Sequence, residues 1–191
     1  MKAVVFIDVQ NDFLKNGKLA FSYPEKDNVP NVIEFAKKCA ADPSCKIYAT
    51  RDTHDDEYPK SLEGRKLPVE HCVEGSDGWQ IADPLMDVLL GKATIVNKLT
   101  FGSFDLAEVI AEDFGEAGPD EIILCGYDLS ICVSANASIL RAKFPDVEIT
   151  VLKDLCGDAS KEAFDAACTV LSMQQIDVED SKNASQVPAA S

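Results

Sequence analysis

The chain contains no apolar run of about 18 residues, so a membrane-spanning helix is excluded. It is also short of positive charge: 18 Lys and Arg stand against 33 Asp and Glu, a formal net charge of −15. Such a surface repels phosphate backbones and anionic lipid, so neither nucleic acid nor a membrane is an expected partner. Histidine occurs only at positions 54 and 71, and tryptophan only at 79. Cysteine is not scarce, but the seven residues (39, 45, 72, 125, 132, 156 and 168) are odd in number and show no CxxC spacing. The opening run ends at Asp8 and is too short for the apolar region of a signal peptide. Reduced, mostly buried thiols and a cytoplasmic location are therefore expected.

What is present is ordinary globular material, 46% apolar and 27% charged. A length of 191 residues suits one domain. We place that domain at 1–178 and a Ser-, Ala- and Asn-rich tail at 179–191. Apolar runs of strand length fall at 2–8, 45–51, 93–97, 121–126, 147–152 and 175–178. Segments of helical period alternate with them at 29–41, 79–90, 105–114, 131–144 and 161–173. Residues 52–78 form a long irregular stretch, and a loop of that length is usually functional. Strands apolar on both faces, separated by helices, predict a doubly wound three-layer α/β/α domain with a mostly parallel sheet of about six strands.

Chemistry in such sheets gathers beyond the carboxyl ends of the strands. Asp8, then Asp52 and His54, then Lys98, then the segment 127–132 occupy those ends. Cys132 lies where a loop enters a helix, so helix-terminal N–H groups are expected to lower its pKa and to receive an oxyanion. Cys39, Cys45, Cys125, Cys156 and Cys168 read as small buried hydrophobes. A carboxylate to take the thiol proton and an ammonium to hold both anions would complete a catalytic group, roles open to Asp8 and Lys98.

The segments Phe6-Ile7-Asp8-Val9-Gln10-Asn11-Asp12-Phe13, Asn97-Lys98-Leu99-Thr100-Phe101-Gly102-Ser103-Phe104 and Gly126-Tyr127-Asp128-Leu129-Ser130-Ile131-Cys132-Val133 resemble three motifs of the isochorismatase-like cysteine hydrolases. That superfamily includes the nicotinamidases. The resemblance spans about residues 2–178 and implies an Asp8–Lys98–Cys132 triad. It implies a cis peptide between Tyr127 and Asp128, with the Asp128 and Cys132 N–H groups forming the oxyanion hole, and an aromatic substrate wall at Phe13. Where the family usually carries a small residue, Thr, and Asp or Asn, this chain has Asp128, Leu129 and Ser130.

Asp52-Thr53-His54 with His71-Cys72-Val73-Glu74-Gly75 resembles the nicotinamidase metal loop. Asp52, His54 and His71 are thus candidate ligands for a divalent ion, Zn²⁺ first. Glu57 is the nearest further carboxylate, Cys72 reads as a non-ligand beside His71, and Pro68 stands where nicotinamidases often have Trp. The activity implied is hydrolysis of a small amide C–N bond through a thioester, by an enzyme that assembles into homo-oligomers. The alternatives are isochorismatase-type hydrolysis and a non-catalytic binding domain on the same scaffold.

Overall fold

A computed structural model describes residues 1–183. Strands β1 (Lys2–Ile7), β2 (Cys45–Asp52), β3 (Ala93–Lys98), β4 (Glu121–Gly126), β5 (Glu148–Cys156) and β6 (Asp177–Glu179) form one sheet in the order β3-β2-β1-β4-β5-β6. Every pairing between these strands is parallel. The helices are α1 (Val29–Ala41), α2 (Leu62–Lys66), α3 (Asp83–Leu89), α4 (Phe104–Phe114), α5 (Ser134–Lys143) and α6 (Lys161–Met173). Helix α1 packs on α3, while α5 lies between α4 and α6. Right-handed crossovers place these two groups on opposite faces, because strand order runs one way from β1 to β3 and the other way from β4 to β6.

Strands β1 and β4 are apolar and buried almost throughout, as central strands covered on both faces must be. Their contact is close where they separate. Gly126 has φ +132°, and a Cβ there would lie 2.0 Å from the Ile7 carbonyl oxygen, so only glycine fits. The reversal of strand order falls between these two strands. It opens a crevice at their carboxyl ends, which receives Asp8 from one strand and the Tyr127–Cys132 loop from the other.

Several boundaries differ from the sequence expectation. The helix expected over 79–90 starts only at Asp83. Residues before it are drawn into tertiary pairing: Ile81 bridges Gln10, and the Gln10 amide donates to the carbonyls of Asp52 and Trp79. The loop 52–78 contains a 3-10 turn, Tyr58–Lys60, and α2, whose Ser61 cap accepts from the Gly64 N–H. The helix expected from 131 is preceded by a π turn, Leu129–Val133, and α5 begins at Ser134. Strand β5 runs on to Cys156, and β6 occupies Asp177–Glu179, starting within the expected 175–178 run and ending on the first residue of the stretch assigned to a tail. Residues 184–191 of that tail lie outside the described residues. No helix among the described residues is long and apolar enough to cross a membrane.

Candidate active site

Asp8 follows β1 directly, with φ +48° and no exposed surface. Its N–H donates to Thr50 Oγ1 at 3.1 Å, and the Thr50 hydroxyl donates to Asp8 Oδ1 at 2.6 Å, so the neighbouring strand β2 fixes the carboxylate. Lys98 ends β3, two strands away, and its long side chain spans the gap. Its Nζ lies 2.7 Å from Asp8 Oδ2, 3.0 Å from Asp52 Oδ1 and 3.5 Å from Cys132 Sγ. Oδ2 of Asp8 meets the ammonium as an ion pair without hydrogen-bond geometry, which leaves a lone pair for another proton. The three side chains proposed from distant motifs thus occupy one buried cluster.

The Tyr127–Cys132 turn is held from outside. Asp158, fully buried after β5, accepts from the Ser130 N–H at 2.7 Å and the Ser130 hydroxyl at 3.0 Å. Asn136 donates to the carbonyls of Cys132 and Phe101 and accepts from the Ser103 N–H, tying the turn to the lysine segment. The Tyr127–Asp128 peptide is cis, and Tyr127 is stacked by Phe21 at 4.7 Å. The Asp128 N–H donates to no group among the described residues.

Burial governs the acidities. It pushes the Cys132 thiol well above its ordinary value; Lys98 opposes this, and the carboxylates of Asp8 and Asp52 add to it. The helix-terminal lowering expected from the sequence does not prevail. The residue sits inside a π turn rather than at a helix start, among apolar neighbours and two negative charges. Asp8 is also raised, by burial against the pull of Lys98, so it has more proton affinity than a surface carboxylate. The Lys98 ammonium is opposed by burial but held charged by Asp8, Cys132 and Asp52.

Asp52 connects this cluster to a second. While Oδ1 binds Lys98, Oδ2 lies 3.0 Å from His54 Nε2 and 3.4 Å from His71 Nε2. Glu63 Oε1 stands 3.8 Å from both imidazole nitrogens. One donor atom from each of Asp52, His54, Glu63 and His71 lies within 4.8 Å of the others. His71 Nδ1 contacts the Val69 carbonyl at 2.8 Å, which turns Nε2 inward as a metal-ligating imidazole requires. Burial works against a charge on His71, but Asp52, Val69 and Glu63 outweigh it and raise its pKa. Burial also opposes ionisation of Asp52, yet its partners His54, His71 and Lys98 hold it far below the carboxylate range.

The further carboxylate is therefore Glu63, not Glu57, whose exposed side chain pairs with Lys60 at 2.7 Å. Glu63 enters because α2 turns the loop back on itself. Cys72 stands outside the donor set; its N–H donates to Asp12 Oδ2. Phe13 is buried with its ring 5.8 Å from that of His71, and Tyr58 packs 4.4 Å from the ring of His54. A cavity of about 870 Å³ opens beside this cluster, lined by His54, Tyr58, Leu62, Glu63, Leu99 and Phe101 among others. Thr50, Glu63, Asn136 and Asp158 were not singled out from the sequence. Thr50, Asn136 and Asp158 act through partners far along the chain, and Glu63 reaches His54 and His71 only through the turn of α2, so no local spacing marks any of them.

One further carboxylate is out of balance. Asp128 Oδ1 is buried without a hydrogen-bond partner among the described residues, and burial, then the charges of Asp158 and Asp8, push the group up to about 7. Its ordinary value is 3.8, so folding favours the protonated form, and its stabilising effect is lost as pH rises through that window. Asp128→Asn is expected to gain stability relative to the wild type between pH 5 and pH 8. Urea unfolding at both pH values measures this, and an unchanged difference contradicts it.

An acid, an amine and a thiol collected at the switch point of a doubly wound parallel sheet define an α/β domain with a buried ionic cluster at the carboxyl edge of its sheet. The isochorismatase domain family matches residues 2–182, and the chain belongs to that family. Among solved structures, the chain is similar to a pyrazinamidase of Pyrococcus horikoshii in complex with zinc, at 24% identity and TM-score 0.79, covering 94% of this chain and 98% of that one. A nicotinamidase from Bacillus subtilis superposes with TM-score 0.80 at 20% identity, covering 94% and 99%. The yeast nicotinamidase bound to the inhibitor nicotinaldehyde gives TM-score 0.76 at 22% identity, covering 94% and 100%. At these identities the likeness speaks for the fold. No curated protein matches the chain.

Proposed function

We propose that the protein is a cysteine-dependent hydrolase of small amides, resembling nicotinamidases in reaction type. The observation that carries this is the position of Lys98 Nζ, 2.7 Å from Asp8 and 3.5 Å from the Cys132 sulfur. Asp8, raised in proton affinity by burial, takes the thiol proton as sulfur attacks the amide carbonyl. Proton transfer accompanies attack because the resting thiol is protonated. Lys98 stays charged throughout and balances whichever of Asp8 and the sulfur is anionic. The carbonyl oxygen takes its negative charge against the N–H groups of Asp128 and Cys132. Asp8 then gives the proton to the departing nitrogen, and ammonia or an amine leaves. Water attacks the thioester, Asp8 removes a proton from it, and the proton returns to sulfur as the acid is released.

The donor set fits a borderline divalent ion such as Zn²⁺: two imidazoles and two carboxylates, mostly buried, with one histidine already oriented. Asp52, His54, Glu63 and His71 would hold it. When bound, such an ion supplies open coordination positions for water or a ring nitrogen of an aromatic amide. The likeness to structures containing zinc and nicotinaldehyde supports this reading, as does the Phe13 ring beside His71.

The test is a screen for ammonia release over small aromatic and aliphatic amides, with and without Zn²⁺ or a chelator. Release from at least one amide, blocked by alkylating Cys132, is the expected result. Cleavage of a vinyl ether with no amide turned over would overturn the proposal. Replacing His71 with Ala should weaken Zn²⁺ binding by about 100-fold or more, read by titration against a competing chelator. Equal affinity in both proteins would remove His71 from the ligand set.

A further inference from the structure

We propose that Asp128 determines specificity and selects small amides carrying a protonated nitrogen beside the scissile carbonyl. This rests on the amide-hydrolase reading above and names the substrate class of that site. Asp128 belongs to the nucleophile loop, two residues after Gly126 and four before Cys132. Its backbone N–H has no acceptor among the described residues, and the oxyanion hole proposed above sets the substrate carbonyl beside it.

The residue is only partly exposed, and its Oδ1 is buried with no donor among the described residues. It forms no ion pair among the described residues. The contrast with Asp158 is informative. That carboxylate, more deeply buried, has both oxygens engaged: by the Ser130 N–H, the Ser130 hydroxyl and the Ala159 N–H. Asp158 is therefore spent on structure, whereas Asp128 is not. The charges that reach Asp128 are those of Asp158 and Asp8, and both are negative. Lys98 is committed to Asp8, Asp52 and the sulfur and does not figure among the charges acting on Asp128.

A buried carboxyl group with anionic neighbours and no donor is costly to keep unless something completes it. The missing component is a cation or a strong N–H donor. An ammonium close to a substrate's carbonyl would supply both charge and hydrogen bonds. The loop's departure from the small residue usual in its relatives fits this role, because a small side chain there offers a substrate nothing ionic. The net charge of −15 also favours the approach of a cation over that of an anion.

The experiment compares three amides of similar size at pH 7: glycinamide (cationic), propanamide (neutral) and malonamate (anionic). They are tested on the wild type, Asp128→Asn and Asp128→Ser. The wild type is expected to favour glycinamide over propanamide at least tenfold in kcat/KM, with malonamate last. Both variants should reduce the glycinamide-to-propanamide ratio at least tenfold. Cys132 modification by aminoethyl, methyl and sulfonatoethyl methanethiosulfonate, followed by peptide mass, reads the same selection without requiring amide turnover. The cationic-to-neutral rate ratio should fall in both variants there too. Ratios unchanged within twofold in both assays, or a loss shared equally by all substrates, overturn the role of Asp128. If no amide is turned over by the wild type while the thiol-reagent ratio still responds to Asp128, the amidase reading fails and the charge selection stands.

Discussion

Replacing Cys132 with Ala is expected to reduce amide turnover by at least about 10⁴-fold, because the group that would form the thioester is gone. The fold should survive. The side chain lost is small, and the turn around it is held by other atoms: Asp158 on Ser130, Asn136 on the Cys132 carbonyl and the Tyr127 hydroxyl on Asn28. The melting temperature should therefore stay within a few degrees of the wild type. Rapid-quench mass spectrometry should detect an acyl adduct on the parent enzyme and none on the variant. A Cys132→Ala enzyme of normal activity would end the proposed mechanism, and an unfolded one would show that the sulfur also matters for packing.

The second large effect is expected at Lys98. Its ammonium lies between two buried carboxylates, 2.7 Å from Asp8 and 3.0 Å from Asp52. Lys98→Met preserves most of the aliphatic stem but leaves two anions facing each other with no cation between them. Breaking a buried ion pair by removing one partner costs about 3–5 kcal/mol. The variant should also lose about 10³-fold or more in turnover, since nothing then balances the developing sulfur and oxygen charges. The stability loss has a defined pH dependence. Asp8 is already raised in the native state by burial, and removal of Lys98 raises it further. Its stabilising contribution in the variant is thus present at low pH and lost as pH rises. Lys98→Met should be closest to the wild type in acid and furthest from it in alkali, as read by urea unfolding. An equal deficit across the pH range would show that the two carboxylates do not carry the penalty.

The parts of this site legible in the sequence share a feature. Asp8, Lys98 and the 127–132 segment each follow an apolar strand, and a parallel sheet carries such ends to one edge whatever the rest of the chain does. Their roles also rested on likeness to a known superfamily. Asp52, His54 and His71 were found partly because histidine is so rare here, with both residues falling in one loop. Glu63 was missed because it reaches the cluster only through α2, a five-residue helix whose start depends on the Ser61 cap. The thiol's acidity was misjudged for a related reason. A loop entering a helix suggests a stabilised thiolate, but the burial that opposes it comes from residues packed in from elsewhere.

Alternating apolar strands and amphipathic helices determined the layered α/β sheet by themselves, since side-chain periodicity decides which surfaces must be covered. The same pattern set the order in which acid, amine and thiol arrive at the sheet's carboxyl edge. Only the tertiary structure decided that Lys98 links Asp52 to Asp8 and Cys132, that Glu63 joins Asp52, His54 and His71, and that the Asp128 carboxylate has no partner among the described residues. Those outcomes depend on charges brought together from distant segments and stripped of water, where a contact of a few ångströms outweighs any local propensity.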